Sequence, residues 1–284
     1  MEGGRVAKFE LRRGFGVTGQ ESMDRVSESN LILLDAWDAM SRSGPGFEFQ
    51  RGGLIELSWS GYPTFFFNVA VTSRPPESFE EFSSAVNATC AWAESRRVPW
   101  LFAMCHDTMG EHLPAAQRLM ERLGFALMMP LTGMEGDELR PSPRPKPEGE
   151  WLTEADQAIG DVVMRLNEAA YQTPLGEPGS LALEQPGWWR APDRMVTVLS
   201  PGGTPESCAA VLDVQGLRYV AFVATRPEAQ RKGYAEAAMR DVLERSLAAG
   251  LQRRTYLHAS AAGRPVYERM GYRATAEYSL YAKV

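Results

Sequence analysis

The chain has 284 residues, enough for two ordinary domains that each build a core. Hydrophobic residues make up 44% and charged residues 23%, the balance of a soluble globular protein. A net charge of −6 lacks the dense basic footprint of general nucleic-acid binding, so no nucleic-acid partner is expected.

The opening run MEGGRVAKFELRRGF lacks the continuous apolar core of a signal peptide, and no window approaches a membrane-spanning length. A cytoplasmic protein without membrane contact is the expectation. Cys90, Cys105 and Cys208 are odd in number and far apart, which suits buried thiols better than a disulfide framework. His106, His112 and His258 share no metal-ligand spacing with the cysteines or with one another, so no metal site is expected.

In chain order, VTSRPPESFEEF (71–82) reads as a strand passing into a helix, and VPWLFAMCH (98–106) as a second strand. LMERLGF (119–125) is a short helix ending at a glycine before an aromatic. Then comes ELRPSPRPKPEGE (138–150), where Pro141, Pro143, Pro145 and Pro147 alternate with polar residues. No helix or central strand holds that spacing, so the run is an extended, stiff connector. It divides the chain into residues 1–138, a linker 139–150, and residues 151–284. The first 138 residues hold 12 Lys+Arg against 19 Asp+Glu and the remainder 18 against 17. The near-neutral second half tolerates a polyanionic ligand better.

Beyond the linker, Tyr219–Thr225 is rich in β-branched and aromatic residues and reads as a buried strand. It turns through QRKGYA into a helix, AEAAMRDVLERSLAAG, that stops at Gly250. A helix start carries unpaired N–H groups and the positive end of the macrodipole, which together attract anions. Gly233 removes the side chain where an anion must approach, and Arg231 and Lys232 add charge at the rim. The turn suits a bound phosphate, with a solvated basic loop as the other reading of the same residues. RTYLHAS (254–260) is the next strand, and VYERMGY (266–272) repeats LMERLGF at an offset of 147. ATRPEAQRKGYA (224–235) likewise lines up with VTSRPPESFEEF through a shared Arg-Pro. Two matches in the same order indicate a duplicated α/β unit. Where the second copy has Gln230, Gly233 and Ala235, the first has Ser78, Glu81 and Ser83, so it should hold no phosphorylated ligand.

Gln230-Arg231-Lys232-Gly233-Tyr234-Ala235 between strand and helix, followed by a strand and PVYERMGY (265–272), resembles the GCN5-related N-acetyltransferase (GNAT) family. The match covers about residues 219–281, and with looser spacing 150–284. The resemblance implies an α/β (α+β) fold of two tandem GNAT-like units. Each would be a mixed, mostly antiparallel sheet flanked by helices and splayed open between its fourth and fifth strands. Residues 1–138 would be a degenerate copy and 151–284 the catalytic domain. It implies acetyl-CoA as acyl donor, with Gln230 to Ala235 at the pyrophosphate. The backbone of Val223, Ala224 and Thr225 would run along the pantetheine arm and offer N–H groups to the thioester oxygen. Tyr267 would be the general acid toward sulfur, or else an aromatic packing its helix on the sheet. Many relatives carry an asparagine where this chain has Ser260-Ala261-Ala262-Gly263, and Ser260 offers a shorter polar contact.

The acceptor implied is an amine of a small molecule or peptide. Candidate bases are Glu177, Glu184, Asp213 and His258, with proton loss through water equally open. YQTPLGEPGSLALEQPGWWRAP (171–192) should cover the acceptor site, with Tyr171, Trp188 and Trp189 as its wall or as staples to the core. A non-catalytic acyl-CoA sensor and a transferase of longer acyl groups are the alternatives. No residue pattern specifies an oligomeric state.

Overall fold

The computed structural model describes residues 20–153, 158–176, 179–251 and 254–283. The first half runs α1 (Gln20–Ser41), β1 (Glu48–Gln50), β2 (Ile55–Trp59), β3 (Asn68–Thr72), α2 (Phe79–Glu94), β4 (Leu101–Cys105), the single turn α3 (His106–Met109), α4 (Leu113–Arg122) and β5 (Phe125–Gly136). The second half runs β6 (Glu150–Thr153), α5 (Ile159–Tyr171), the single turn α6 (Pro186–Trp189), β7 (Arg194–Ser200), β8 (Ser207–Val214) and β9 (Leu217–Thr225). It closes with α7 (Tyr234–Ala248), β10 (Thr255–Ser260), α8 (Arg264–Met270) and β11 (Arg273–Lys283). Each half thus carries the duplicated strand–helix–strand–helix unit: β3–α2–β4–α4 and β9–α7–β10–α8. Both late helices end at a left-handed glycine, Gly124 at φ +81° and Gly271 at φ +108°.

Among the described residues the two halves share one mixed, mostly antiparallel sheet of 11 strands, ordered β1-β2-β3-β4-β11-β5-β10-β9-β8-β7-β6. The last strand of each half crosses over. β11 pairs with β4, from Tyr278 opposite Cys105 to Ala282 opposite Leu101. β5 pairs with β10, from Thr255 opposite Gly136 to Ser260 opposite Leu131. β5 and β11 pair antiparallel between them. The linker therefore divides the chain in sequence without dividing the sheet.

Alternation along the strands sends side chains to opposite faces. Val69, Val71, Leu101 and Ala103 pack under α1, while Ala70, Phe102 and Met104 pack under α2 and α4. In the second half Cys208, Ala210 and Leu212 face α5, whereas Ala209, Val211, Val220 and Leu257 face α7 and α8. The three cysteines are buried free thiols.

A polar knot crosses the junction. Arg254 donates to both carboxylate oxygens of Glu28 (2.8 and 2.6 Å) and to Glu135 (2.7 Å), and Tyr256 Oη donates to Glu28 at 2.6 Å. Burial pushes the Glu135 pKa up, but the hydrogen bond and charge of Arg254 outweigh it and hold the carboxyl below its usual value. A depressed carboxylate stabilises the fold above its unfolded pKa of about 4.3, and that stabilisation is lost as pH falls through the folded value. Arg254→Met leaves buried Glu135 with a hydrogen bond from Tyr256 Oη at 3.2 Å and the more distant Arg25 at 3.7 Å and Arg273 at 4.0 Å. The expected cost lies toward the lower end of the ~3–5 kcal/mol typical of a broken buried pair. Urea denaturation at pH 7 measures it, and the deficit should shrink as pH approaches 4.

Candidate functional site

The site forms where the sheet comes apart. β9 and β10 run parallel but pair at only two positions, Thr255 with Arg218 and Tyr256 with Tyr219. Beyond them the strands diverge, as the fourth and fifth strands of the resembled fold do. β9 also carries a bulge. Its pairing with β8 shifts between Cys208 and Ala210, and Phe222 there adopts φ +53°. A bulky residue at positive φ is strained, and a bulge leaves backbone outside the ladder.

The fork opens toward the C-terminal ends of both strands, and α7 begins just past that end of β9. Gly233, at φ +88°, is its N-cap and supplies no side-chain hydrogen bond. The first helical bond runs from Ala237 N–H to Gly233 O, so the N–H groups of residues 234 to 236 have no helical partner. Gln230, Arg231 and Lys232 are exposed, and Arg231 is itself left-handed at φ +64°. Tyr234 and Ala235 are half-buried in the first turn. Arg144, from the proline-rich linker, reaches the same loop. Its Nη1 lies 3.4 Å from the Arg231 carbonyl oxygen, and a Cβ on Gly233 would sit 2.7 Å from that nitrogen. An uncapped helix start ringed by guanidinium and ammonium groups suits a diphosphate. The linker arginine carried no motif by which sequence could assign it to the loop.

The equivalent place in the first half is closed. Ser78 caps α2 by accepting from Glu81 N–H at 3.1 Å, and Glu81 accepts from Glu77 N–H at 2.7 Å. These reciprocal bonds occupy the helix start with side chains. Its fork is also bridged: Cys105 N–H donates to Thr72 Oγ1 at 2.8 Å, joining β4 to the end of β3.

A cavity of about 160 Å³ lies in the open fork. Val223, Ser260 and Tyr267 line it, whereas Ala224 is buried in the core beside it. Thr225 Oγ1 is hydrogen-bonded to Ser207 Oγ at 2.8 Å, away from the cavity. Ser260 Oγ accepts from Gly263 N–H at 3.3 Å. Tyr267 is buried against Tyr272, with ring centroids 6.1 Å apart, and burial raises its phenol pKa well above the usual value. It stays protonated throughout the physiological range.

Of the candidate bases among the described residues, only His258 is at the cavity. Nδ1 lies 3.1 Å from Tyr219 Oη and Nε2 3.3 Å from Ser29 Oγ, and desolvation pushes its pKa down to about 3. Glu184 is ion-paired with Arg165 and caps Leu181 N–H. Asp213 braces the β8–β9 turn by accepting from Gly216 N–H at 2.9 Å. Glu177 lies outside the described residues. Tyr171 lines the cavity, but Trp188 and Trp189 are buried behind Phe222, so the tryptophans are staples and not a wall. The opposite wall is unexpected. Trp37 and Met40 of α1, with Phe66, come from the first half, and the Trp37 indole N–H is satisfied by the Phe66 carbonyl at 2.6 Å.

No curated protein matches the chain in sequence. Residues 204–282 match the acetyltransferase (GNAT) domain family. Among solved structures, the chain is similar to a GCN5-related N-acetyltransferase from Kribbella flavida, at 15% identity and TM-score 0.64, covering 94% of this chain and 96% of that one. It is similar to a GCN5-related N-acetyltransferase from Sphaerobacter thermophilus at 15% identity and TM-score 0.52, covering 92% and 93%. A tandem GNAT protein from the clavulanic acid biosynthesis pathway matches at 10% identity and TM-score 0.51, over 93% and 95%. The forked strands and uncapped helix start fall within or beside the matched residues. The segment 204–282 thus matches the acetyltransferase (GNAT) domain, and the chain as a whole is folded like GCN5-related N-acetyltransferases of known structure.

Proposed function

We propose that the chain transfers an acetyl group from acetyl-CoA to the nitrogen of an amine by direct attack within the fork of β9 and β10. The observation that carries this reading is the open fork next to an uncapped helix start, paired with a first half in which both features are closed. Gln230 to Ala235 would hold the pyrophosphate, with Arg144 as an added cation, and Val223 and Ser260 would flank the pantetheine arm. Bound there, acetyl-CoA supplies an acyl group activated as a thioester.

The chain's own groups do the rest. Backbone freed by the bulge at Phe222 and Val223 is placed to donate to an oxygen that gains negative charge, usually the largest contribution in acyl transfer. Tyr267 holds a proton for the departing sulfur. No charged base faces the cavity among the described residues, so desolvation favours the neutral amine, whose ammonium proton passes to solvent water. With His258 pushed down to about 3, kcat/KM should climb with pH along the amine's own ionisation and show no inflection near 6.5. An inflection there that His258→Gln removes would make the histidine the base.

The test is amine-dependent release of CoA thiol from acetyl-CoA, with calorimetric titration of CoA alongside. One CoA per chain and thiol release on adding an amine are expected. Two tight sites would show that the first half is not degenerate. Tight CoA binding with no release for any amine would replace the reaction with a sensor.

A further inference from the structure

The cavity wall defines what the acceptor can be, given the transferase reading above. Its lining includes no Asp, Glu, Lys or Arg among the described residues. The polar groups all come from the second half: Tyr219, His258, Ser260 and Tyr267 at the fork, and Asn167, Tyr171 and Thr173 from α5 and just past it. The first half contributes apolar side chains, among them Trp37 and Met40, and the Trp37 N–H is already spent on Phe66. The wall supplied by the first half is therefore wholly apolar, and the polar groups of the lining carry no formal charge. The cavity's 160 Å³ matches the scale of an apolar cavity that takes up a benzene ring.

We infer that the acceptor is a small primary amine on an uncharged apolar body, of the arylalkylamine or short alkylamine class, with that body seated against Trp37, Met40 and Phe66. A second ammonium or a carboxylate on the acceptor would meet no opposite charge among the described residues of the wall, and burying a charge unpaired is strongly unfavourable. Polyamines and free amino acids are excluded on that ground. A long acyl chain would consume the same volume and leave the attacking nitrogen's substituent no room. The first half thus selects the substrate for chemistry performed by the second.

Two measurements test this and separate it from the transferase reading. Calorimetry on protein saturated with CoA reads acceptor binding without turnover, using 2-phenylethylamine, hexylamine, putrescine and lysine. Initial rates with acetyl-CoA and octanoyl-CoA read turnover of the same amines. The two neutral-bodied amines should bind, and their kcat/KM should exceed that of putrescine and lysine by at least ~100-fold, the factor for about 2.8 kcal/mol. Met40→Trp or Phe66→Trp, filling the cavity, should abolish 2-phenylethylamine binding while leaving the acetyl-CoA Kd within about twofold. Binding of the neutral amines without turnover would support the acceptor class and sink the transferase reading. Efficient acetylation of putrescine or lysine, preference for octanoyl-CoA, or failure of the neutral amines to bind would each overturn the acceptor class.

Discussion

Gly233→Asp is expected to weaken acetyl-CoA binding by at least ~100-fold, since setting like charges against each other costs several kcal/mol. The carboxylate would enter the space into which the N–H groups of residues 234 to 236 point, at the positive end of α7. The fold should pay much less. A non-glycine residue at φ +88° costs roughly 1–2 kcal/mol, and Arg144 beside the new side chain offsets part of it. Gly233→Ala separates the two effects, because it adds the strain and the Cβ without the charge. Thermal unfolding without ligand, with CoA calorimetry on both variants, decides the matter. Full affinity in a folded Gly233→Asp protein would remove the phosphate from this loop.

Tyr267→Phe is expected to lower kcat by roughly 10²–10⁴, the usual effect of losing a positioned proton donor. The ring and its contact with Tyr272 remain, so the packing of α8 is kept. Acetyl-CoA affinity should change little, because a neutral hydrogen bond contributes only about 0.5–1.5 kcal/mol net. Since burial holds the phenol protonated, the loss should be the same at pH 7 and pH 9. Normal turnover, with chemistry shown to limit the wild-type enzyme, would leave Tyr267 as a packing residue.

The strand-to-helix turn at Gly233, proposed above to hold phosphate, was legible in sequence because its requirements are local. A strand, a left-handed glycine and a helix start follow one another within a dozen residues, and each has its own residue signature. The closed copy was legible for the same reason, since Ser78 and Glu81 form a local capping pair. The first-half wall of the cavity was not. Trp37, Met40 and Phe66 read only as apolar residues of a helix and an aromatic run, and nothing near them names the strand fork far along the chain that they face. β11 likewise alternates as a strand should, yet alternation does not say which strand it will pair with. Trp188 and Trp189 fit either of two roles by composition, and their burial behind Phe222 settled the choice.

The crossed-over strands also change what the linker is for. With β5 wedged between β10 and β11, and β11 between β4 and β5, neither half can leave without opening three rows of backbone hydrogen bonds at once. A protease nick within residues 139–150 would therefore yield two interlocked fragments that migrate together until denatured. Residues 1–138 made alone would keep a gap where β11 belongs. The linker is needed to bring the halves together during folding, and afterwards the clasp is in the sheet.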